Sequence, residues 1–205
     1  AYRRRGQAYA HLASNPPPPT AANADGPKVS RGPTGGPPAV SQAGPEEAAE
    51  YFYTAAIRDF THLIANNPQD AKSLVARGKT HAAKRRMYEA VKDFTDAIAA
   101  DGNCAGAYLE RGTAYAAKKT PDDLKAAISD FDKAIGVEPD NADAFYQRGL
   151  ARAQMTGPTE SMDPAVRDLT EAVKCVPDKP EYLLARGRLL GEAGQAVEAI
   201  ADLQR

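Results

Sequence analysis

Two kinds of charged side chain recur along the chain in positions where they could do chemistry. An arginine directly before a glycine occurs five times, at Arg5, Arg77, Arg111, Arg148 and Arg186. An aspartate directly before a Phe or Leu also occurs five times, at Asp59, Asp93, Asp130, Asp168 and Asp202. Guanidinium groups bind carboxylates and phosphates through paired hydrogen bonds. The arginines could therefore form a ring that binds an anionic ligand, or pair internally with the aspartates. We favour a ladder of ion pairs, in which each pair, if exposed, adds only about 0–1 kcal/mol and mainly fixes the register.

The residue types that usually carry catalysis form no such pattern. The histidines His11, His62 and His81 have no Cys, Ser or acidic partner at a recurring catalytic spacing. Cys104 and Cys175 are far apart and in no metal-binding or redox spacing. No glycine-rich stretch is followed by Lys-Ser or Lys-Thr, as a phosphate-binding loop requires. The sequence therefore predicts no catalytic residue, no metal site and no cofactor, and hence no enzyme activity in this segment.

The charged positions belong to a repeat. The Phe or Leu after the aspartate is followed 8 residues later by a Pro or Gly, and the next Arg-Gly glycine comes 10 residues after that. Adding the shortest interval from that glycine to the next Phe or Leu, 16 residues, gives a period of 34. This period, with Gly followed by Tyr, Ala, Phe and Pro in that order, resembles the tetratricopeptide repeat family.

The resemblance implies an all-α fold, a right-handed solenoid of antiparallel helix pairs with five units, the last incomplete. We expect repeat 1 at 1–70, repeat 2 at 71–104, repeat 3 at 105–141, repeat 4 at 142–179 and a truncated repeat 5 at 180–205, all in a single domain. Each repeating glycine costs about 1 kcal/mol inside a helix, so close packing of the two helices of a pair must offset it. Arg152 departs from the pattern, since it stands where Tyr9 and Tyr115 stand in their repeats.

A Pro/Gly-rich stretch at 14–45 separates the two helices of repeat 1. We predict that it is a disordered insertion at the turn within one helix pair, because the repeat resumes in register after it. The alternative is a proline-rich docking or phosphorylation segment, with Ser30 and Ser41 as the acceptors.

In this family the first helix of each pair lines a concave groove that holds a partner peptide or helix. By register, the groove residues of this chain are Lys72, Val75, Lys79, Leu109, Thr113, Tyr146, Leu150, Leu184 and Arg188. The centre of this set is apolar, which favours a partner helix or extended segment. The alternative is that these side chains pack between neighbouring repeats.

One family function can be tested by register. Members that clamp the acidic C-terminal tails of heat-shock chaperones need cations at positions where this chain has Glu110, Asp143 and Glu181. We therefore predict that such tails are not bound by a carboxylate clamp. The turns between paired helices carry Lys84, Arg85, Arg86, Lys118 and Lys119. They are either a basic rim for an acidic partner or ordinary solvated turns.

Composition narrows the class of function. The formal net charge is -1, from 26 Lys and Arg against 27 Asp and Glu, whereas a nucleic-acid-binding domain is usually strongly basic. No apolar run approaches the roughly 20 residues of a membrane-spanning helix. Cysteine usage is typical of an intracellular protein. We expect the cytoplasm, with an organelle or a cilium as the alternatives.

The sequence predicts a non-catalytic scaffold that binds other proteins within a larger assembly. The alternative is a targeting arm of a larger enzyme whose catalytic domain lies outside this segment. A third is a self-associating structural protein. The first residue is not Met, and the last residues fall within an apolar-periodic segment, so both ends look cut. The pattern does not select an oligomeric state or a cellular process.

Overall fold

The described chain is α-helical. The computed structural model describes residues 2–14, 45–155 and 163–204, which form ten helices and no strand. The helices are α1 (Tyr2–Ser14), α2 (Pro45–Asn66), α3 (Ala71–Ala83), α4 (Met87–Ala100), α5 (Ala105–Ala116), α6 (Pro121–Val137), α7 (Ala142–Met155), α8 (Asp163–Cys175), α9 (Pro180–Glu192) and α10 (Ala196–Leu203). The predicted all-α fold is confirmed, while the repeat boundaries stay a prediction. Apart from its two end residues, the predicted insertion at 14–45, with Ser30 and Ser41, lies outside the described residues.

The helices divide into two compact units, an N-terminal unit, Ala1–Asp93, and a C-terminal unit, Phe94–Arg205. In the N-terminal unit α1 packs against α2, and α2 packs against α3. The ring of Tyr9 stacks on that of Phe52 with 5.9 Å between centroids, and Ala13 shares a buried cluster with Ala48 and Phe52. Arg5, which precedes Tyr9 in α1, pairs with Asp59, which follows Phe52 in α2. The two helices therefore run antiparallel.

In the C-terminal unit α5 packs against α6, α7 against α8 and α9 against α10, and successive pairs also pack together. Three clusters of buried residues lie between them in the part of the chain that the structure describes. Their buried members are Leu124, Ala127, Phe131 and Ala151; Ala165, Leu169 and Leu189; and Ala142, Ala172, Val173, Tyr182 and Leu183. Apolar side chains therefore join helices α5 to α9, both within pairs and between them.

The repeating glycines mark the closest approach between paired helices. A Cβ placed on Gly112 would lie 2.7 Å from the Phe131 ring and 3.1 Å from the carbonyl oxygen of Ala127. A Cβ on Gly149 would lie 3.1 Å from the carbonyl oxygen of Ala165. These distances leave no room for a side chain, which confirms the close packing predicted to offset the cost of glycine inside a helix.

Three turns between paired helices share a left-handed residue. Arg85, Lys119 and Gly194 have φ angles of 58°, 60° and 78°. After α3, the amide of Arg86 donates to the carbonyl of His81 at 2.9 Å, and after α9, the amide of Gln195 donates to that of Leu190 at 2.8 Å. Both bonds are those of a helix end closed by a left-handed residue, a position that favours glycine. Two of the basic turn residues therefore sit where the backbone favours glycine.

Candidate functional site

The five repeating arginines pair with the five repeating aspartates. In every pair the arginine Nε and Nη2 donate to the two carboxylate oxygens at 2.5–3.0 Å, and the pairs are Arg5–Asp59, Arg77–Asp93, Arg111–Asp130, Arg148–Asp168 and Arg186–Asp202. The ion-pair ladder is thus confirmed. The aspartates are only 2–6 % exposed, and four of the arginine side chains are 15–19 % exposed, while that of Arg5 is 49 % exposed. For those four pairs the expectation of weak, exposed pairs is wrong, because removing one partner from a buried pair typically costs about 3–5 kcal/mol.

The remaining guanidinium nitrogen of three arginines reaches the preceding helix pair. Nη1 of Arg77, Arg111 and Arg148 donates to Thr61 at 3.2 Å, Thr95 at 3.3 Å and Asp132 at 2.7 Å, respectively. Each acceptor stands two residues after a ladder aspartate. These arginines therefore use their hydrogen-bonding nitrogens inside the repeat array, which argues against a ring of ligand-binding arginines.

A second side chain, four residues after the arginine, also approaches the ladder carboxylate. Arg152 Nη1 donates to Asp168 at 2.8 Å, and His81 Nε2 lies 3.9 Å from Asp93. Burial lowers the pKa of His81, although the Asp93 charge opposes the shift, so the ring is neutral near pH 7. Its Nδ1 is buried with no hydrogen-bond partner among the described residues. His81 is therefore a packed residue, at the position that Tyr9 and Tyr115 occupy in their repeats.

A cavity of about 490 Å³ opens in the C-terminal unit, on the side of α7 and α9. Four of the predicted groove residues meet there: Tyr146, Leu150, Leu184 and Arg188. The other lining residues are Ala153, Gln154, Glu181, Ala185, Leu189 and Glu192. The alanines and leucines make its lining largely apolar, while charged side chains come from α9 only.

Tyr146 is held in place by a polar cluster beside the cavity. Its ring lies 4.9 Å from the ring of buried Tyr182. The Tyr182 hydroxyl donates to Asp143 Oδ1 at 2.5 Å, and Lys179 Nζ donates to Asp143 Oδ1 at 2.8 Å and to the Tyr182 hydroxyl at 2.9 Å. The Asp143 hydrogen bond raises the pKa of Lys179 well above its usual value, so this cation stays charged. The cluster joins the N-terminal ends of α7 and α9 and fixes one wall of the cavity.

The opposite wall is open to solvent. Leu184 is 62 % exposed, so its side chain is open to contact by a ligand. Arg188 Nε lies 3.3 Å from Glu192 Oε1, one helical turn further along α9. This wall therefore presents an apolar surface followed by an ion pair of no net charge.

The other predicted groove residues are divided between the two units. In the C-terminal unit Leu109 packs beside the Phe131 cluster, and the Thr113 hydroxyl donates to the Leu109 carbonyl at 2.8 Å. In the N-terminal unit Lys72 is exposed and Val75 is half-buried. Lys79 lines a second cavity of about 500 Å³ together with Gln7, Ala10, His11, Ser14, Tyr53, Phe60, Ala76, Thr80 and Ala83. Leu109 packs against a cluster that includes Ala151 of α7, which fits the alternative in which groove positions pack between neighbouring repeats.

The predicted basic rim is partly matched by internal carboxylates. Lys84 is 6 % exposed, and its Nζ donates to Glu50 at 2.5 Å and Thr54 at 3.2 Å. Lys118 Nζ lies 3.1 Å from Asp123 and 5.2 Å from the centre of the Tyr115 ring. Arg85, Arg86 and Lys119 lie in the same turns, and all three are exposed. A rim for an acidic partner would therefore depend mainly on these last three cations.

The cavity includes residues that the sequence reasoning missed. Gln154 and Glu192 each stand four residues after a predicted groove residue, Leu150 and Arg188, so a continuation of the helical spacing would have found them. Ala153 and Leu189 share a buried cluster and become visible as lining only when α7 and α9 are placed side by side. No signal in the sequence points to them.

The described residues also limit the chemistry available. Within residues 2–14, 45–155 and 163–204, no three His, Cys, Asp or Glu side chains come together as metal ligands. In the same ranges no helix combines the length and the apolar character needed to cross a bilayer.

The fold and the ladder together define a helical-repeat protein. Residues 39–101 match the tetratricopeptide repeat family model, and a comparison with curated protein sequences found no match. MamA has a similar structure, with a TM-score of 0.64 at 22 % identity over 78 % of this chain and 90 % of MamA. TTC0263 of Thermus thermophilus, a thermophilic tetratricopeptide repeat protein, has a TM-score of 0.60 at 26 % identity over 75 % of this chain and 81 % of its own.

A third similar structure carries information about binding. YrrB, described as a tetratricopeptide repeat protein with an unusual peptide-binding site, has a TM-score of 0.60 at 25 % identity over 70 % of both chains. With the repeated spacing, these similarities show that residues 39–101 match the tetratricopeptide repeat family and that the described chain shares the helical-repeat fold of such proteins.

Proposed function

We propose that this chain is a non-catalytic scaffold that binds segments of other proteins in the groove lined by the first helix of each pair, within a larger assembly. The observation that carries the proposal is the cavity between α7 and α9, where Tyr146, Leu150, Leu184 and Arg188 meet. Leu184 is exposed there, and covering its apolar surface with a partner side chain is favourable by about 25 cal/mol per Å².

The similarity to YrrB supports a peptide as the ligand, since a peptide-binding site is described for that protein. The ladder supports a structural role for the repeating arginines, because their nitrogens are taken by internal acceptors. Acidic chaperone tails are not expected as ligands. Glu110, Asp143 and Glu181 stand where a carboxylate clamp needs cations, so the clamp would lack the groups that hold the tail.

The test is to replace Leu184 with Asp and measure binding to peptides selected on the wild-type chain from a random library. Leu184→Asp places a charge in the apolar wall without disturbing the core, so we expect affinity to fall at least about tenfold, which corresponds to about 1.4 kcal/mol. Tyr146 is less suitable for this change, since its ring packs on buried Tyr182.

Val197→Asp is the matched control, because Val197 is 79 % exposed on α10 and is not among the residues lining the cavity. We expect that variant to bind as the wild type does, and both variants to keep their helicity by circular dichroism. Unchanged binding by Leu184→Asp, or equal losses in both variants, would show that the cavity is not the binding site.

A further inference from the structure

The charge of the chain is divided unequally between its two units. Residues 1–93 contain 13 Lys and Arg against 8 Asp and Glu, whereas residues 94–205 contain 13 against 19, a formal charge of -6. The overall value of -1 hides this difference. Because the summed field of a unit attracts ligands of the opposite sign, the unit that contains the cavity between α7 and α9 favours a cationic partner.

The charged groups at the cavity also favour a cationic partner. Arg188 and Glu192 neutralise each other. Asp143, beside the Tyr146 wall, is matched by Lys179. Glu181 is exposed and forms no ion pair with any described residue. The cavity therefore presents an apolar lining with one unmatched carboxylate at the N-terminal end of α9.

The helix geometry sets the distance between this carboxylate and the apolar centre. Glu181 precedes Ala185 by one helical turn, and at 1.5 Å per residue four residues correspond to about 6 Å along the axis. An extended peptide advances about 3.3 Å per residue, with alternate side chains on the same face. An extended ligand that runs along α9 therefore advances the same distance over two residues. The side chains of the first and the third of its residues then lie on the same face.

We propose that the cavity between α7 and α9 selects extended protein segments in which a bulky apolar residue lies two positions from a lysine or arginine. The apolar side chain fills the space between Leu150 and Leu184, and the cation pairs with Glu181. A volume of about 490 Å³ lies within the usual range of about 300–1,000 Å³ for ligand pockets. This inference rests on the proposed function, since it names the chemistry of the partner for the same groove.

The experiment begins by selecting peptides from a random phage library on the full chain. We expect enrichment of sequences with Lys or Arg two positions from Phe, Tyr, Leu or Ile. The affinity of the best peptide is then measured by fluorescence anisotropy, together with that of the same peptide carrying Glu in place of the basic residue. We expect the wild type to bind the basic peptide more tightly, by about five- to tenfold, and the difference to shrink at high salt because of screening.

Glu181→Lys is the decisive variant, with Glu198→Lys on α10 as the matched charge reversal away from the cavity. Glu181→Lys is expected to bind the acidic peptide better than the basic one, whereas Glu198→Lys keeps the wild-type preference. Enrichment of acidic peptides, or an unchanged preference in Glu181→Lys, would overturn the inference.

The same measurements separate this inference from the proposed function. If Leu184→Asp abolishes binding while the charge reversals change nothing, the groove binds peptides but the basic residue is not recognised. If Leu184→Asp binds every selected peptide normally, or if no peptide is selected, the proposed function fails and the inference fails with it.

Discussion

Adding one methyl group at Gly112 tests whether the glycines are required for close helix packing. The Cβ of Gly112→Ala would lie 2.7 Å from the Phe131 ring and 3.1 Å from the Ala127 carbonyl oxygen. Phe131 is fully buried and the carbonyl belongs to the backbone of α6, so neither can move away at low cost. Overpacking of this kind costs about 1–3 kcal/mol, while the better helix propensity of alanine returns up to about 1 kcal/mol.

The opposite effect is expected at Gly136, which also lies in a helix. A Cβ there would meet no atom within 4 Å. Gly136→Ala should therefore raise the free energy of unfolding by about 0.5–1 kcal/mol, from the higher helix propensity of alanine alone. If packing dominates at Gly112, that variant loses about 1–2 kcal/mol of unfolding free energy. Urea unfolding followed by circular dichroism measures both, with equal m-values as the check on comparable transitions. A Gly112→Ala protein as stable as Gly136→Ala would refute the packing argument.

Three further predictions concern buried and strained residues. Asp130→Asn should lose about 3 kcal/mol by urea unfolding, because the paired guanidinium loses its buried charge partner, while Asp122→Asn, at a side chain 98 % exposed, should change stability by under about 0.5 kcal/mol. Burial depresses the folded-state pKa of His81, so its stability contribution is present above the unfolded value of about 6.5 and is lost as the pH falls below it. Lowering the pH from about 7 to 5 should therefore reduce the free energy of unfolding of the wild type more than that of His81→Tyr. Equal pH dependence of the two unfolding free energies would contradict this. Arg85→Gly should raise the free energy of unfolding by about 1 kcal/mol and Gly194→Ala should lower it by about as much, because both residues have positive φ. The melting temperature should shift in the same direction in each variant.

The sequence was most informative where a feature recurs. The Arg-Gly and Asp-Phe spacings place Arg5 opposite Asp59 although 54 positions separate them, and those two side chains meet at 2.6 Å. The same spacing assigns four of the residues that line the cavity between α7 and α9. Because the same spacing occurs in every repeat, the contact expected in one helix pair can be assigned by position in the others.

Features that depend on one repeat alone could not be predicted. Lys84 is a turn residue in the sequence, but α2 extends back to Pro45 and brings Glu50 within 2.5 Å of its Nζ. Arg152 breaks the tyrosine pattern, yet it donates to the same carboxylate as Arg148. The expected weakness of the ladder was also wrong, because spacing reveals which charges are partners and not how deeply the carboxylates are buried.

The third hydrogen bond of the ladder arginines has a consequence for how the array opens. In repeat proteins, stability is approximately a sum of terms within each repeat and terms between neighbours. Arg148 joins α7 to α6 through charged Asp132 at 2.7 Å, whereas Arg111 joins α5 to α4 through neutral Thr95 at 3.3 Å. Opening α6 without α7 therefore costs more free energy than opening α4 without α5. We expect the amide protons of α6 and α7 to exchange with solvent together, as one cooperative unit.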